Sequence, residues 1–344
     1  MGPELRSLLN ARLPELVTTA PAIVAHTSAP ACLIVNPRSF SASRGLAEKA
    51  VALARSHHAE VVVVTAPAEL TAAIESILAR RQQQVMVLAG DGTVCAVVDQ
   101  LANLPSGSWI PDLLILPGGR SNLTAEDLVP GGQALATMEL ALVRAREQRW
   151  DVAVEERCPL RIEQSPAPPR HGFFMAAACI DSAIRQCHQD RFDHSTLRAG
   201  VTTLSYVLGL GVRAVFGRSG ITCPTLRIDA GACGTQQGFV RLLLATTLLH
   251  RTGLLNPYAA RGDGEVRVTS VSRDAQSFWR LLPRLLTGRY LQSMSTAKGY
   301  LSGRCDSVRV DGLAGYSLDG EAFDTDPSRP VVISAGPRLR FIRP

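Results

Sequence analysis

The chain has 344 residues, 46% of them apolar, which is enough for more than one buried core, and it carries a formal net charge of +6. No apolar run free of charge reaches the roughly 18 residues of a membrane span; the nearest, residues 197–216, contains Arg198 and Arg213. The N-terminus lacks the basic start and continuous apolar run of a secretory signal, so the chain is expected to stay in the cytoplasm.

The positive charge is almost wholly arginine, because Lys49 and Lys298 are the only lysines. A phosphate site here must therefore work through Arg, backbone N–H groups or a metal ion. A basic surplus points to anionic partners, of which a nucleotide and an anionic membrane surface are the stronger classes. Aromatic residues make up 5% of the chain and interleave with no basic run, so no nucleic-acid partner is expected. The 8 cysteines are scattered without a CxxC pair, which argues against a zinc ribbon or a redox motif. Cys187, His188, Asp190, Asp193 and His194 lie too close together to wrap one ion if helical.

In chain order, the first half reads as strand-then-helix units. Residues 32–35 form an apolar run that ends at Asn36-Pro37, and residues 44–57 follow with Leu46, Ala50, Leu53 and Ala54 at helical spacing. Residues 61–64 are all valine and stop at Ala66-Pro67, ahead of a helical stretch over 69–80. Residues 85–88 run into Gly90-Asp91-Gly92-Thr93, after which Val94, Val97, Val98 and Leu101 mark another helix. Residues 113–116 meet Pro117-Gly118-Gly119, with a further helix over 133–148. Strands apolar on both faces and alternating with helices predict a parallel sheet covered on both sides.

From Trp150 onward the runs are short, β-rich and separated by turn residues: 152–154, 160–162, 172–177, 221–228, 238–248, 265–271, 307–310 and 331–334. They predict a mostly antiparallel, β-sandwich-like domain, interrupted by helices near 195–216 and 275–291. The Pro-rich segment 164–170 reads as a hairpin loop. The expected organisation is an α/β domain over 1–149 and a β-rich domain over 150–344, with the C-terminal segment a candidate to return to the first.

Three loops of the first half share one position, after a buried strand and before a helix: residues 36–43, 90–93 and 117–122. At the carboxyl edge of an open parallel sheet they can line one crevice, where glycines admit backbone N–H groups to an anion and helix N-termini add favourable charge. The competing reading of Gly-Asp-Gly-Thr is a tight turn with Thr93 as helix cap. Neither a GxxxxGK[ST] nor a GxGxxG motif is present.

Asn36-Pro37-Arg38-Ser39, Ala89-Gly90-Asp91-Gly92-Thr93, Pro117-Gly118-Gly119-Arg120-Ser121-Asn122 and Leu318-Asp319-Gly320-Glu321 resemble, in order, the four signatures of the diacylglycerol kinase catalytic-domain family. That family includes bacterial lipid kinases, sphingosine kinases and ceramide kinases. The resemblance implies a nucleotide-binding α/β domain, a β-sandwich-like second domain and an active site in the cleft between them. It implies that ATP is held by Asn36, Pro37, Arg38 and Phe40, by Leu88, Ala89, Gly90, Asp91, Gly92, Thr93 and Val94, and by Gly119, Arg120, Ser121 and Asn122. It implies that Asp319 and Glu321 reach back to the phosphate with Glu321 as proton acceptor. It also implies that Asp263 binds Mg2+ with the carbonyls of Ala260 and Glu265.

The residue types suit this chemistry independently. An alcohol needs a carboxylate to take its proton as it attacks phosphorus, and the transferred group needs its charge neutralised. Asp91 is a second acidic candidate, able to hold catalytic Mg2+ or assist the base. Read by themselves, Asp319-Gly320 and Asp263-Gly264 are equally hairpin turns. Phe40, Arg120 and Leu123 depart from the family pattern, standing where it usually has a small residue, Thr and Asp, and suggest a divergent branch.

A lipid substrate requires contact with a membrane without spanning it. Residues 278–291 combine Trp279, leucines and Arg280, Arg284 and Arg289, the ingredients of an interfacial helix on an anionic surface. They suit equally an amphipathic helix packed on the β-domain. The leading expectation is an ATP- and Mg2+-dependent kinase, peripheral to the membrane, acting on a hydroxyl of diacylglycerol, ceramide or a sphingoid base. The alternatives are an NAD-kinase-like phosphotransferase and a degraded kinase that binds nucleotide or lipid as a regulator.

Overall fold

The structure, a computed structural model, describes residues 31–39, 45–119, 122–128, 133–147, 154–179, 223–249 and 256–343. The helix expected near 195–216 and the Cys/His/Asp group at 187–194 lie outside them. Strands β1 (Cys32–Val35), β2 (Glu60–Val63), β3 (Gln84–Ala89) and β4 (Asp112–Pro117) pair in parallel in the order β2-β1-β3-β4. Helices α1 (Leu46–Ser56), α2 (Pro67–Ala79), α3 (Asp91–Ala102), α4 (Leu123–Leu128) and α5 (Ala134–Arg146) connect or follow these strands.

The period-2 alternation of each strand divides its apolar residues between two cores. Cys32, Ile34, Val85, Val87, Leu113 and Ile115 pack with α2 and α3, through Leu70, Ile74, Ile77, Val94, Val97 and Val98. Leu33, Val35, Met86, Leu88, Leu114 and Leu116 pack with α1 and α5, through Ala50, Ala54, Met138 and Leu142. A right-handed crossover that carries the chain from β1 outward to β2 puts α1 on one face, and those leading back to β3 and on to β4 put α2 and α3 on the other. The order therefore reverses between β1 and β3, the place where open α/β sheets bind ligands.

The chain continues through β5 (Val154–Arg157) into a curled eleven-stranded sheet. Its strands are β6 (Leu160–Glu163), β7 (Arg170–Gly172), β8 (Phe174–Ala178), β9 (Thr225–Asp229), β10 (Thr235–Thr246), β11 (Val266–Ser272), β12 (Tyr300–Cys305), β13 (Ser307–Asp311), β14 (Gly315–Leu318), β15 (Glu321–Asp324) and β16 (Val331–Ala335). Every described pairing in it is antiparallel. β10 is long enough to pair with β9 along its first half and with β8 and β11 along its second. The sheet wraps a core that includes Leu160, Met175, Ile228, Leu243, Val268, Leu301, Val308, Leu318 and Ile333. Its other face is covered by α6 (Phe278–Leu286), where Leu285 is buried and Phe278, Leu281, Leu282 and Leu286 pack against Phe174, Leu244, Tyr258 and Tyr300.

The final strand, β17 (Leu339–Ile342), leaves this sheet and enters the first one between β4 and β5. β5, which the sequence groups with the second domain, is thereby antiparallel to β17 and lies at the edge of the first sheet. Its residues Val154, Glu155, Glu156 and Arg157 carry no apolar alternation of their own, so a long-range pairing decides where it sits. Ion pairs of Glu155 with Arg343 and of Glu156 with Arg338 accompany that pairing.

β17 also couples the two sheets through one aromatic contact. Phe341 is fully buried and meets Phe173, between β7 and β8, edge-on at 5.9 Å. Phe341→Ala should cost about 3–5 kcal/mol in denaturant unfolding, as for a buried phenylalanine cut to a methyl. A loss under about 1 kcal/mol, typical of a surface change, would mean that β17 does not bind the sheets together.

Candidate active site

The three loops expected to meet do so, because β1, β3 and β4 are neighbours and all end at the same edge. Asn36 Nδ2 donates to Thr93 Oγ1 at 2.9 Å, tying the first loop to the second. Ser39 Oγ accepts the Gly90 amide at 2.9 Å. In the third loop Asn122, in the left-handed region at φ 50°, closes a ring on Gly119: its Oδ1 accepts the Gly119 amide at 2.7 Å and its Nδ2 donates to the Gly119 carbonyl at 3.2 Å.

Glycine is required where the second and third loops touch. A β-carbon at Gly118 would stand 2.7 Å from the Ala89 nitrogen and 2.8 Å from its oxygen, and one at Gly119 would stand 2.8 Å from Gly90 Cα. Gly90 is the N-cap of α3, with no side-chain cap, so Thr93 is not the capping residue that a simple turn would make it. The Thr93 and Val94 amides already donate to the Gly90 carbonyl, each at 3.1 Å. The amides of Asp91 and Gly92 have no acceptor within the helix, as in any first turn, and the positive end of α3 lies at the sheet's switch point.

A hairpin from the second sheet covers this end. β14 and β15 pair with Leu318 opposite Glu321, leaving Asp319-Gly320 as a two-residue loop with φ of 49° and 92°. Both positive values identify the type I′ turn that Asp-Gly favours. The hairpin reading of this motif is therefore correct. Asp319 fixes the hairpin to the chain entering β8: its two carboxylate oxygens accept the amides of Phe173 and Phe174 at 2.9 and 2.8 Å, and its own amide donates to Phe174 O at 2.8 Å. A β-carbon at Gly172 would come within 2.6 Å of Asp319 Oδ2, so that position must be bare. So held, Glu321 hangs over the first turn of α3, its Oε1 only 2.8 Å from where a β-carbon of Gly92 would be.

The strand leading into this bracket is bound to α3 on its other side. Asp99 Oδ1 accepts the His171 amide at 2.7 Å and lies 3.2 Å from His171 Nδ1, while Cys95 Sγ approaches the His171 carbonyl at 3.4 Å.

The two carboxylates differ in environment. Burial pushes the Asp319 carboxyl up to about 7, against the pull of its two backbone amides, with Asp91 adding a smaller upward push. Partial burial also lifts Glu321 above the ordinary carboxylate range, and the charge of Arg170 draws it back. Glu126 is raised by burial and then by Asp91. Asp319 thus has its oxygens engaged, whereas Glu321 is exposed toward the crevice and is the better placed to take a proton.

The expected ligand-binding residues divide by what their side chains do. Asn36, Gly90, Asp91, Gly92, Thr93, Gly119 and Asn122 line or build the crevice. Leu88, Ala89 and Val94 are buried in the two cores beside the sheet, so only their backbone is available to a ligand. Arg38 turns away, its Nη1 donating to Thr65 O at 3.2 Å, and Pro37 shapes the turn between Asn36 and Ser39. Phe40, Arg120 and Ser121 lie outside the described residues. The residues that sequence reasoning missed are Ser39, Gly118, Asp99, His171, Arg170 and Gly172. Ser39 and Gly118 stood inside recognised motifs, but nothing local marks the other four, whose roles come from contacts across the domains.

Ala260, Asp263 and Glu265 sit together on an exposed loop that is bound to β12. Arg304 donates its amide to Arg261 O at 2.7 Å and its Nε to Gly264 O at 2.9 Å, and Ala259 donates its amide to Ser302 Oγ at 2.9 Å. Gly262 and Gly264 approach the β12 backbone too closely for any side chain. One carboxylate with backbone carbonyls is a hard-oxygen donor set compatible with Mg2+. Among the described residues no three His, Cys, Asp or Glu side chains cluster as they would around a metal ion.

A doubly covered parallel sheet with glycine loops at its switch point is thus faced by a carboxylate hairpin from a curled antiparallel sheet. Residues 30–154 match the model of the diacylglycerol kinase catalytic domain. The fold over nearly the whole length is similar to two solved structures from Bacillus anthracis str. Sterne. One, provisionally assigned as a diacylglycerol kinase, aligns at TM-score 0.61 with 16% identity over 91% of this chain and 96% of that one. Another, described as a diacylglycerol kinase, aligns at TM-score 0.57 with 16% identity over the same shares of the two chains, 91% and 96%. No curated protein matches the chain.

The raised Asp319 carboxyl makes stability depend on pH with a definite sign. A carboxyl whose folded value lies above its unfolded one contributes stability that is fully present below the unfolded value, near 3.8, and lost as pH rises through about 7. Asp319→Asn removes that titration while leaving one side-chain oxygen for the two amides. Its melting temperature relative to wild type should therefore climb between about pH 4 and pH 7 and level off above. A difference that stays flat across this range would show that Asp319 titrates as an ordinary carboxylate.

Proposed function

We propose that the protein is an ATP-dependent lipid kinase, transferring the γ-phosphoryl group to a hydroxyl of a membrane lipid such as diacylglycerol, ceramide or a sphingoid base. The observation that carries this reading is the position of Glu321 over the first turn of α3, at the switch point of the parallel sheet. The polyphosphate lies along Asn36, the Gly90–Thr93 loop and the Gly119–Asn122 loop, where amides and the end of α3 face it. Glu321 accepts the proton of the acceptor hydroxyl as its oxygen forms a bond to the γ-phosphorus. The bond from that phosphorus to the bridging oxygen breaks, and ADP leaves with the electron pair. Asp319 positions Glu321 through the turn. Mg2+, when bound, would neutralise phosphate charge, and Asp91 at the start of α3 is the carboxylate that would hold it. A second Mg2+ at Asp263, Ala260 and Glu265 would have a structural role, given the exposed loop that holds it.

Contact with an anionic bilayer completes the reading. Most apolar side chains of α6 are spent on packing, but Trp279 remains 47% exposed, flanked by exposed Arg280 and Arg284. Across the surface Arg241 stacks 4.5 Å over Phe278, and Arg273 stacks 5.8 Å over Phe239, which is 48% exposed. Exposed aromatics set among arginines, with Asp274 the neighbouring acid, suit the headgroup boundary of an anionic membrane. No helix of the described residues is long and apolar enough to cross a membrane.

Turnover of ATP measured against a panel of lipid alcohols and against NAD, with Mg2+ and with a chelator, tests the reaction. Lipid- and Mg2+-dependent turnover is expected, and Glu321→Gln should lower it by about 10²–10⁴, as for loss of a general base, with ATP affinity kept within a few-fold. Turnover with NAD alone would favour the NAD-kinase-like reading, and nucleotide binding without turnover would favour a regulator. Vesicle sedimentation tests the membrane face. Wild type should bind vesicles containing an anionic phospholipid more than neutral phosphatidylcholine ones, and Trp279→Ser combined with Phe239→Ser should bind them several-fold less. Equal binding by both proteins would remove this face from consideration.

A further inference from the structure

We propose that Arg170 is a further residue of the site, the cation that meets the phosphoryl group handed across the cleft, and that Phe323 holds it in place. The inference rests on the kinase reading above and names a residue outside every recognised motif.

Phosphoryl transfer needs positive charge where the transferred oxygens sit. In this chain lysine cannot provide it: Lys49 lies in α1 and Lys298 near the start of β12, away from the three loops. Arg38 is the cation inside the first loop, but its guanidinium is turned back to Thr65 O. Among the described residues the three loops offer no other cation, and the nearest candidate comes from the second sheet.

Arg170 fits by register. It precedes His171 and Gly172 in β7, and strand alternation puts Arg170 and Gly172 on one face with His171 on the other. His171 is the residue bound to Asp99 of α3. Gly172 abuts the Asp319 carboxylate and Leu318, so the face it shares with Arg170 is the one turned to the β14–β15 hairpin. On β15, Glu321 and Phe323 are likewise two apart and share a face. The Arg170 guanidinium lies 4.4 Å over the Phe323 ring, and its charge acts on Glu321 and on Tyr316. It makes no hydrogen bond or ion pair with the described residues. A guanidinium stacked by its face keeps its N–H donors at the edge, directed in its own plane and suited to a pair of phosphate oxygens. β15 thus carries both the candidate base and the ring that holds the cation, and Arg170 stands two residues from the Gly172 that abuts Asp319.

Because Arg170 stands beside Glu321 rather than along the glycine loops, it should distinguish the terminal phosphate from the other two. Calorimetric titration of ATP and of ADP in wild type, Arg170→Ala, Arg170→Lys and Phe323→Leu reads this directly, alongside steady-state turnover. Arg170→Ala should bind ATP about ten- to a hundred-fold more weakly, the range for a lost hydrogen bond to a charged group, while its ADP affinity stays within about twofold. Its kcat/KM should fall by at least the ATP factor. Arg170→Lys should recover part of both losses, since it restores the charge without the planar fork, and Phe323→Leu should lie between Arg170→Ala and wild type. Equal losses for ATP and ADP, or none, would overturn the assignment. If Arg170→Ala melts well below wild type, the Lys and Leu variants decide, and wild-type ATP affinity in both would overturn it. A wild type that binds neither nucleotide would instead remove the kinase reading itself, and this inference with it.

Discussion

Two backbone amides, those of Phe173 and Phe174, hold both oxygens of the Asp319 carboxylate, and the placement of the candidate base follows from that bracket. A type I′ turn by itself only reverses a strand. Anchored on the chain entering β8, it sets Glu321 in one place relative to the parallel sheet. The bracket demands a bare Gly172 and puts Asp319 where burial raises its proton affinity. Two carboxylates two residues apart thereby acquire different tasks: one with its oxygens occupied by the backbone, the other open to the crevice.

The helix beneath Glu321 is shared between the two halves of the molecule. Val94, Val97, Val98 and Leu101 of α3 pack into the first sheet's core, while Cys95 on the same helix belongs to the core of the curled sheet. Asp99 adds its bonds to His171. A helix packed on two sides cannot shift independently of either, so its N-terminal turn and the hairpin keep their relation. β17 acts in the same direction by returning the end of the chain to the first sheet, with Phe341 against Phe173. The proposed kinase site would require such coupling, because its candidate base comes from one sheet and its glycine loops from the other.

The surface around α6 illustrates how packing narrows a pattern. Residues 278–291 satisfy the description of an interfacial helix and that of a helix docked on a sheet. The structure commits Phe278, Leu281, Leu282, Leu285 and Leu286 to the sheet and leaves Trp279 with the arginines outside. Any membrane-facing role then depends on residues from three separated stretches of chain, Phe239 and Arg241, Arg273, and Trp279 to Arg284, which no single amphipathic segment displays.

The sequence by itself determined the parallel sheet, its alternating helices and the antiparallel character of the rest, because those depend on local periodicity and on turn residues adjacent in the chain. It also marked the three strand-to-helix loops, two of them glycine-bearing, and the Asp-Gly hairpin, since each is a short motif whose backbone geometry only certain residues allow. Tertiary structure alone decided that β5 sits in the first sheet and that β17 enters it between β4 and β5, that Leu88 and Val94 face cores rather than a ligand, and that Arg38 turns back to Thr65. It alone joined Asp99, His171, Arg170 and Gly172 to the site. Each of these depends on a partner tens to hundreds of residues distant, and neither residue of such a pair carries a periodicity or a turn signal that names the other. Physical proximity across the fold is what gives an isolated arginine or glycine its role, and the order of residues along the chain does not encode it locally.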